Sequence, residues 1–146
     1  MTYELQQYVD TVSPDLGELI ELGAAEGCNF IVRTKTEWEE GCNTFSLAGE
    51  AFFLAVNQGC IVGMCGLNRD PYLDDLAVGR LRHLYVHPGH RRIGVAKALV
   101  MQCLSFASGS FVRVRLRTSN SAADGLYRSV GFRTVQESTA THEWRP

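Results

Sequence analysis

Lysine is almost missing from this 146-residue chain: twelve of its fourteen basic residues are arginine, and against sixteen acids they leave a net charge of −2. That balance removes the global positive field expected of a nucleic-acid or anionic-membrane binder. No apolar run approaches the roughly 20 residues that cross a bilayer, and the opening MTYELQQYVD mixes acidic, polar and apolar residues in a way no secretory leader does. Repeats, low-complexity tracts and linkers are also lacking, so a single domain over residues 1–146 is expected, large enough for a core and a cleft. The five cysteines, Cys28, Cys42, Cys60, Cys65 and Cys103, have no metal-ligand spacing, and an odd number completes no disulfide framework. Reduced thiols and a cytoplasmic location are the resulting expectation. His83, His87 and His90 do not repair the lack of a metal motif. Pro88 and Gly89 interrupt them, and on a strand His83 and His87 stand over ~13 Å apart at ~3.3 Å per residue.

What the chain does have is local positive charge between Arg69 and Arg133, and a segment built to use it. Arg80 to Leu99 reads RLRHLYVHPGHRRIGVAKAL, a strand that turns at Pro-Gly and enters a helix opened by Gly94. The first N–H groups of a helix lack intrahelical partners and carry about half a positive charge, which suits them to phosphate. Gly94 and Ala96 let a ligand approach the main chain there, with Arg91, Arg92 and Lys97 around it. The glycines Gly59, Gly63 and Gly66 lie within a hairpin strand, so they make no dinucleotide fingerprint.

Patterning places the remaining elements. Tyr3 to Val9 alternates like a first strand, and Ser13-Pro14-Asp15 starts a helix reaching about Glu26. Gly27-Cys28-Asn29 breaks it. A second short helix is expected from Thr36, as cap, to about Phe45, with Glu37, Glu39 and Glu40 in its first turn. Ala51–Val56 and Cys60–Leu67 form a hairpin about Asn57-Gln58-Gly59. A polar loop from Asn68 to Asp75 leads to a long fourth strand, Val78 to Val86. Gly94 to Ser108 is the main helix, ten of its fifteen positions apolar, and most of its girth should therefore meet the sheet. Phe111 to Thr118 is a fifth strand with one basic face. Ser119 or Asn120 caps a helix that runs to Val130 and stops at Gly131, and Phe132 onward supplies one or two more strands.

Arg91-Arg92-Ile93-Gly94-Val95-Ala96 matches an Arg/Gln-x-x-Gly-x-Gly/Ala signature, and Asn120 to Phe132 (NSAADGLYRSVGF) supplies an Asn, a helix bearing a Tyr, and Gly-Phe opening a strand. In that order the two segments resemble the GNAT superfamily of acetyl-CoA-dependent N-acetyltransferases, over most of the chain from about residue 51. The resemblance implies a mixed α/β fold: a mostly antiparallel sheet of six or seven strands, splayed between strands 4 and 5, with about four helices on both faces. It implies that the main chain at Leu84, Tyr85 and Val86 pairs with the pantetheine arm, and that Arg91, Arg92, Ile93, Gly94, Val95, Ala96 and Lys97 hold the pyrophosphate. Asn120 then helps hold the pantetheine side, and Tyr127 protonates the departing thiolate and also touches the cofactor. A phenol near pKa 10 is protonated at neutral pH, whereas a thiol near 8.5 leaves as an anion.

The implied reaction is direct transfer from acetyl-CoA, with no metal, to a primary amine of a small molecule or peptide; the alternative is a non-catalytic acyl-CoA sensor. No nucleic acid or membrane partner is expected, and monomer and homodimer stay open. An amine of pKa about 10.4 is neutral in only one molecule in roughly 2,500 at pH 7, so a base is needed. Many relatives carry a Glu near the start of the fourth strand where this chain has Arg80. His83 on that strand is the named candidate. Asp74, Asp75, Glu37, Glu39, Glu40, His142 and Glu143 are the others. Acidic residues around the acceptor would favour cationic amines.

Overall fold

The computed structural model describes residues 2–146. Seven strands form one sheet in the order β1-β2-β3-β4-β5-β7-β6: β1 (Glu4–Gln7), β2 (Ala51–Asn57), β3 (Cys60–Arg69), β4 (Val78–Val86), β5 (Arg113–Leu116), β6 (Arg133–Glu137) and β7 (Ala140–Trp144). Every neighbouring pair is antiparallel except β4 and β5. Helices cover both faces, as expected: α1 (Gly17–Ala25) and α2 (Phe30–Glu39) on one, α3 (Val95–Ala107) on the other, with α4 (Ser121–Ser129) adding Tyr127 to the α3 side.

Two cores result. On one face Val95, Leu99, Val100, Cys103, Leu104 and Ala107 of α3 pack on β2, β3 and β4, where Gly63 leaves room for Val95 and Leu99. On the other, Trp38, Phe45 and Phe52 meet with ring centroids 4.8 to 5.7 Å apart, above Leu54 and Met64. The close fit there depends on Gly66, since a Cβ at that position would lie 2.4 Å from the Phe45 ring.

The second helix differs from its sequence reading: it spans Phe30–Glu39, six residues earlier than Thr36. Ile31, Thr34 and Trp38 share its buried face, and the hydroxyls of Thr34 and Thr36 donate back to Phe30 O and Val32 O inside the helix. Burial of the Ile31 and Trp38 side chains, at about 1.5–3 kcal/mol each, outweighs the local preference for a Thr cap followed by acids. The first helix begins at Gly17 rather than at Pro14, with Asp15 Oδ1 accepting from the Gly17 N–H at 3.2 Å. Strands 1 and 5 are shorter than their patterns, four residues each.

Candidate active site

The parallel pair β4/β5 is in register only from Val78 to Arg80, opposite Arg113 to Arg115. Beyond Arg80, β4 continues to Val86 while β5 stops at Leu116, so the sheet opens. The His87 N–H bonds Val62 O on β3, and main-chain groups alternate along a strand; those of Leu84 and Val86 therefore point away from β3, into the gap. Apart from Val86 O, which accepts from Arg91 Nε, unpaired groups of this kind are what an extended, amide-bearing ligand satisfies.

A bulge lies in the same stretch. Between the pairs Gly66↔Arg82 and Met64↔Tyr85, β4 has two residues, His83 and Leu84, against Cys65 alone. His83 takes up the slack at φ 61° and stays on the α2 face beside Arg82. Its ring stacks on Phe30 at 5.9 Å, and its Nδ1 lies 2.7 Å from the Thr34 hydroxyl. That hydroxyl spends its proton on Phe30 O, so Nδ1 must carry the imidazole hydrogen, leaving Nε2 as acceptor. Burial, with Arg82 and Arg33 nearby, pushes the imidazole pKa down to about 3. His83 is thus neutral at physiological pH, a hydrogen-bond acceptor rather than a store for protons.

At the end of β4 a 3-10 turn, Pro88–His90, leads to α3. Arg92 and Gly94 have φ of 67° and 87°, a left-handed pattern that turns successive amides inward, and no side chain caps α3. Nothing lies within 4 Å of where a Gly94 Cβ would be. The N–H groups of Val95, Ala96 and Lys97 start the helix, flanked by the exposed side chains of Ile93 and Lys97. Arg92 and Lys97 form no salt bridge among the described residues.

Arg91, read from sequence as a phosphate ligand, is engaged elsewhere. Its Nε donates to Val86 O at 3.0 Å, and its two terminal nitrogens grip Glu26, the C-cap of α1, at 2.8 and 2.7 Å. The Tyr85 hydroxyl donates to the same carboxylate, and together Arg91 and Tyr85 lower its pKa to about 2. Glu26 escaped the sequence reading because nothing local marks a partner 65 residues away. Asn120 is the N-cap of α4, its Oδ1 accepting from Ala122 and Ala123 N–H, which leaves only its amide NH2 for a ligand.

Tyr127 is buried against Phe132 and His142, at centroid distances of 5.5 and 5.9 Å. Burial, with the Cys65 and Cys103 thiols, drives its pKa well above that of free tyrosine, so it stays a proton donor.

The other base candidates separate. Burial favours a protonated Glu143, but hydrogen bonds from Arg133 and Arg113, with Arg145, prevail and hold it at about 2, too low for a base. His142 lies against Asp124 at 2.7 Å. Asp74, Asp75, Glu39 and Glu40 are exposed, and Asp75 caps the Ala77 N–H. Arg80, in the place of the usual acid, is buried in a charge cluster with Asp70 at 3.3 Å and Thr139 O at 2.8 Å, while Arg115 reaches the same Asp70 oxygen at 3.1 Å. Glu37 lines a cavity on the α2 face with Arg82.

The site is thus an opened parallel pair whose first strand runs into an uncapped, glycine-entered helix. The model of the acetyltransferase (GNAT) family matches residues 17–132, and the chain belongs to that family. It is 38% identical to human N-acetyltransferase 8 over 95 residues, 62% of this chain and 41% of that protein. It is 34% identical to the N-alpha-acetyltransferase RimI of Mycobacterium tuberculosis over 84 residues, 53% of this chain and 48% of that one. The matched stretch is thus about half the length of these curated relatives. Among solved structures, an acetyltransferase from Exiguobacterium sp. 255-15 aligns with a TM-score of 0.88 at 25% identity, covering 99% of this chain and 94% of that one. The Thermoplasma acidophilum PaiA N-acetyltransferase, solved with coenzyme A, has the same fold: TM-score 0.70 at 17% identity, with all of both chains covered.

Proposed function

We propose that this protein transfers the acetyl group of acetyl-CoA directly to a primary amine within a ternary complex. The observation that carries this reading is the continuity of the open β4 edge with the bare α3 N-terminus. One elongated ligand satisfies both, its amides on Leu84 and Val86 and its diphosphate on the amides from Gly94 to Lys97. Arg92 and Lys97 add charge that no acid of the protein neutralises. The amine enters after its ammonium has given one proton to water, and loses a second as the amide forms. Tyr127 protonates the sulfur as the thiolate leaves and is reprotonated by water; its high pKa keeps that proton available across the physiological range. Arg91 anchors the loop rather than the phosphates, because its guanidinium is already held by Glu26 and Val86 O.

Calorimetry with acetyl-CoA and with CoA tests the cradle. Both should bind to the wild-type protein, and Gly94→Val should weaken both by about tenfold or more, since a β-branched residue strains at φ 87° and fills the approach to the amides. Absence of binding to folded wild-type protein overturns the reading. Binding without thiol release across a panel of amines identifies an acyl-CoA sensor instead.

A further inference from the structure

On the face of β4 opposite α3, the turn after α2 and the end of β3 enclose a cavity of about 410 Å3. Arg82 lies on its β4 side, within the stretch that β5 leaves unpaired, and the bulge keeps His83 beside it on that face. A donor held in the gap with its diphosphate at α3 leaves this face for an incoming nucleophile.

The usable charge in the cavity is not what a residue count gives. Of its three carboxylates, Glu50 is saturated by Leu47 N–H, Asn68 Nδ2 and Arg69 N–H at 2.9 to 3.1 Å. Asp70 is saturated by Tyr72 N–H, Arg80 and Arg115. Glu37 is different: its Oε1 is buried with no hydrogen-bond partner. No hydrogen bond or salt bridge ties the Glu37 carboxylate to another described residue, so its charge stays available at the cavity wall. Arg82 has one long contact, 3.5 Å to Asn68 Oδ1, and Arg69 uses only Nε, on Ala48 O. An under-used guanidinium on a cavity wall suits bidentate recognition of a carboxylate.

We propose that this cavity is the acceptor site and that it selects an amine that also carries a carboxylate, Glu37 taking the ammonium and Arg82 the acid group. The inference rests on the acetyl-transfer reading and deepens it. Arg69 adds to the positive side from β3. A polyamine would meet these cations with only Glu37 to answer them. The available charges therefore reverse the preference for purely cationic amines that the acids of α2 suggest in sequence.

Thiol release with acetyl-CoA, measured over the standard amino acids, their methyl esters and spermidine, tests the proposal. The best free acid should exceed its own ester in kcat/KM by about tenfold or more, the yield of one charge-assisted hydrogen bond. Arg82→Gln should erase that preference through a raised KM for the acid. Glu37→Gln should lower kcat/KM for acid and ester alike, and both variants should bind acetyl-CoA as the wild type does, which reports folding. The inference is overturned if esters or spermidine rival the acids, if Arg82→Gln keeps the preference, or if acetyl-CoA binds and no acid is acetylated. Failure of acetyl-CoA to bind at all strikes the acetyl-transfer reading itself, so the two failures are told apart.

Discussion

Tyr127 shows how much of a side chain's behaviour comes from its surroundings. The sequence places it on a helix before Gly-Phe; the fold buries it against Phe132 and His142, and burial keeps the phenol protonated. Replacing it with Phe preserves the ring packing and removes only the transferable proton. Tyr127→Phe should therefore lower kcat for thiol release by about a hundredfold, within the usual range for a lost general acid, with acetyl-CoA affinity held. Stopped-flow measurement of released thiol at saturating acetyl-CoA checks this, and full turnover removes the assignment. His83 makes the opposite point. Its position was readable as an imidazole on the fourth strand, but the backbone bulge and the Thr34 hydroxyl that fix its tautomer arise only from pairing with β3 and α2.

Among the elements, those whose reasons are local were legible in the sequence. β4 has the bounds its alternation gives, and α3 differs from its reading by one residue at each end, because Gly94 and the apolar run carry their own signals. The α2 helix was not legible, since its position is decided by Trp38 and Ile31 meeting a core assembled from distant strands. The same division holds around β4: the uncapped start of α3 is one contiguous segment, whereas Glu37, Asn68 and Arg82 come to line one cavity only because α2 packs on the sheet and β3 pairs with β4. The corner of β5, β6 and β7 is likewise non-local, with Glu143 of β7 clamped by Arg113, Arg133 and Arg145. Its folded pKa of about 2 lies below the unfolded value of roughly 4.3, so its stabilisation is complete above that value and is lost as pH falls from about 4.3 to about 2. Glu143→Gln should cost on the order of 1–3 kcal/mol at pH 7, and the gap to wild type should close near pH 2. Urea titrations at both pH values measure it, and a gap independent of pH refutes it.

At the scale of the whole molecule, the net charge of −2 conceals a division of labour. Arg80, Arg113, Arg115 and Arg133 are spent internally on Asp70, Glu137 and Glu143, while Arg82, Arg92 and Lys97 form no salt bridge among the described residues. The ladder between the β1–β4 slab and the β5–β7–β6 slab is short, Val78 to Arg80 with Arg113 to Arg115, and is backed by the Val112 N–H on Ala77 O, by the Arg115–Asp70 and Arg80–Thr139 contacts and by the core on the α3 side. Mechanically this is a short seam, and anything threaded beside it works as a suture. Acetyl-CoA should raise the melting temperature by mass action, about 2.7 kcal/mol at a hundredfold excess over Kd. It should also slow deuterium uptake at the Leu84 and Val86 amides far more than on β2. Equal uptake at those amides with and without it would mean that acetyl-CoA does not lie along the open β4 edge. Under the proposed function, acetyl-CoA would serve the protein as structure before it served as reagent, and a turnover that stripped its acyl group would leave the stitching in place until CoA departed.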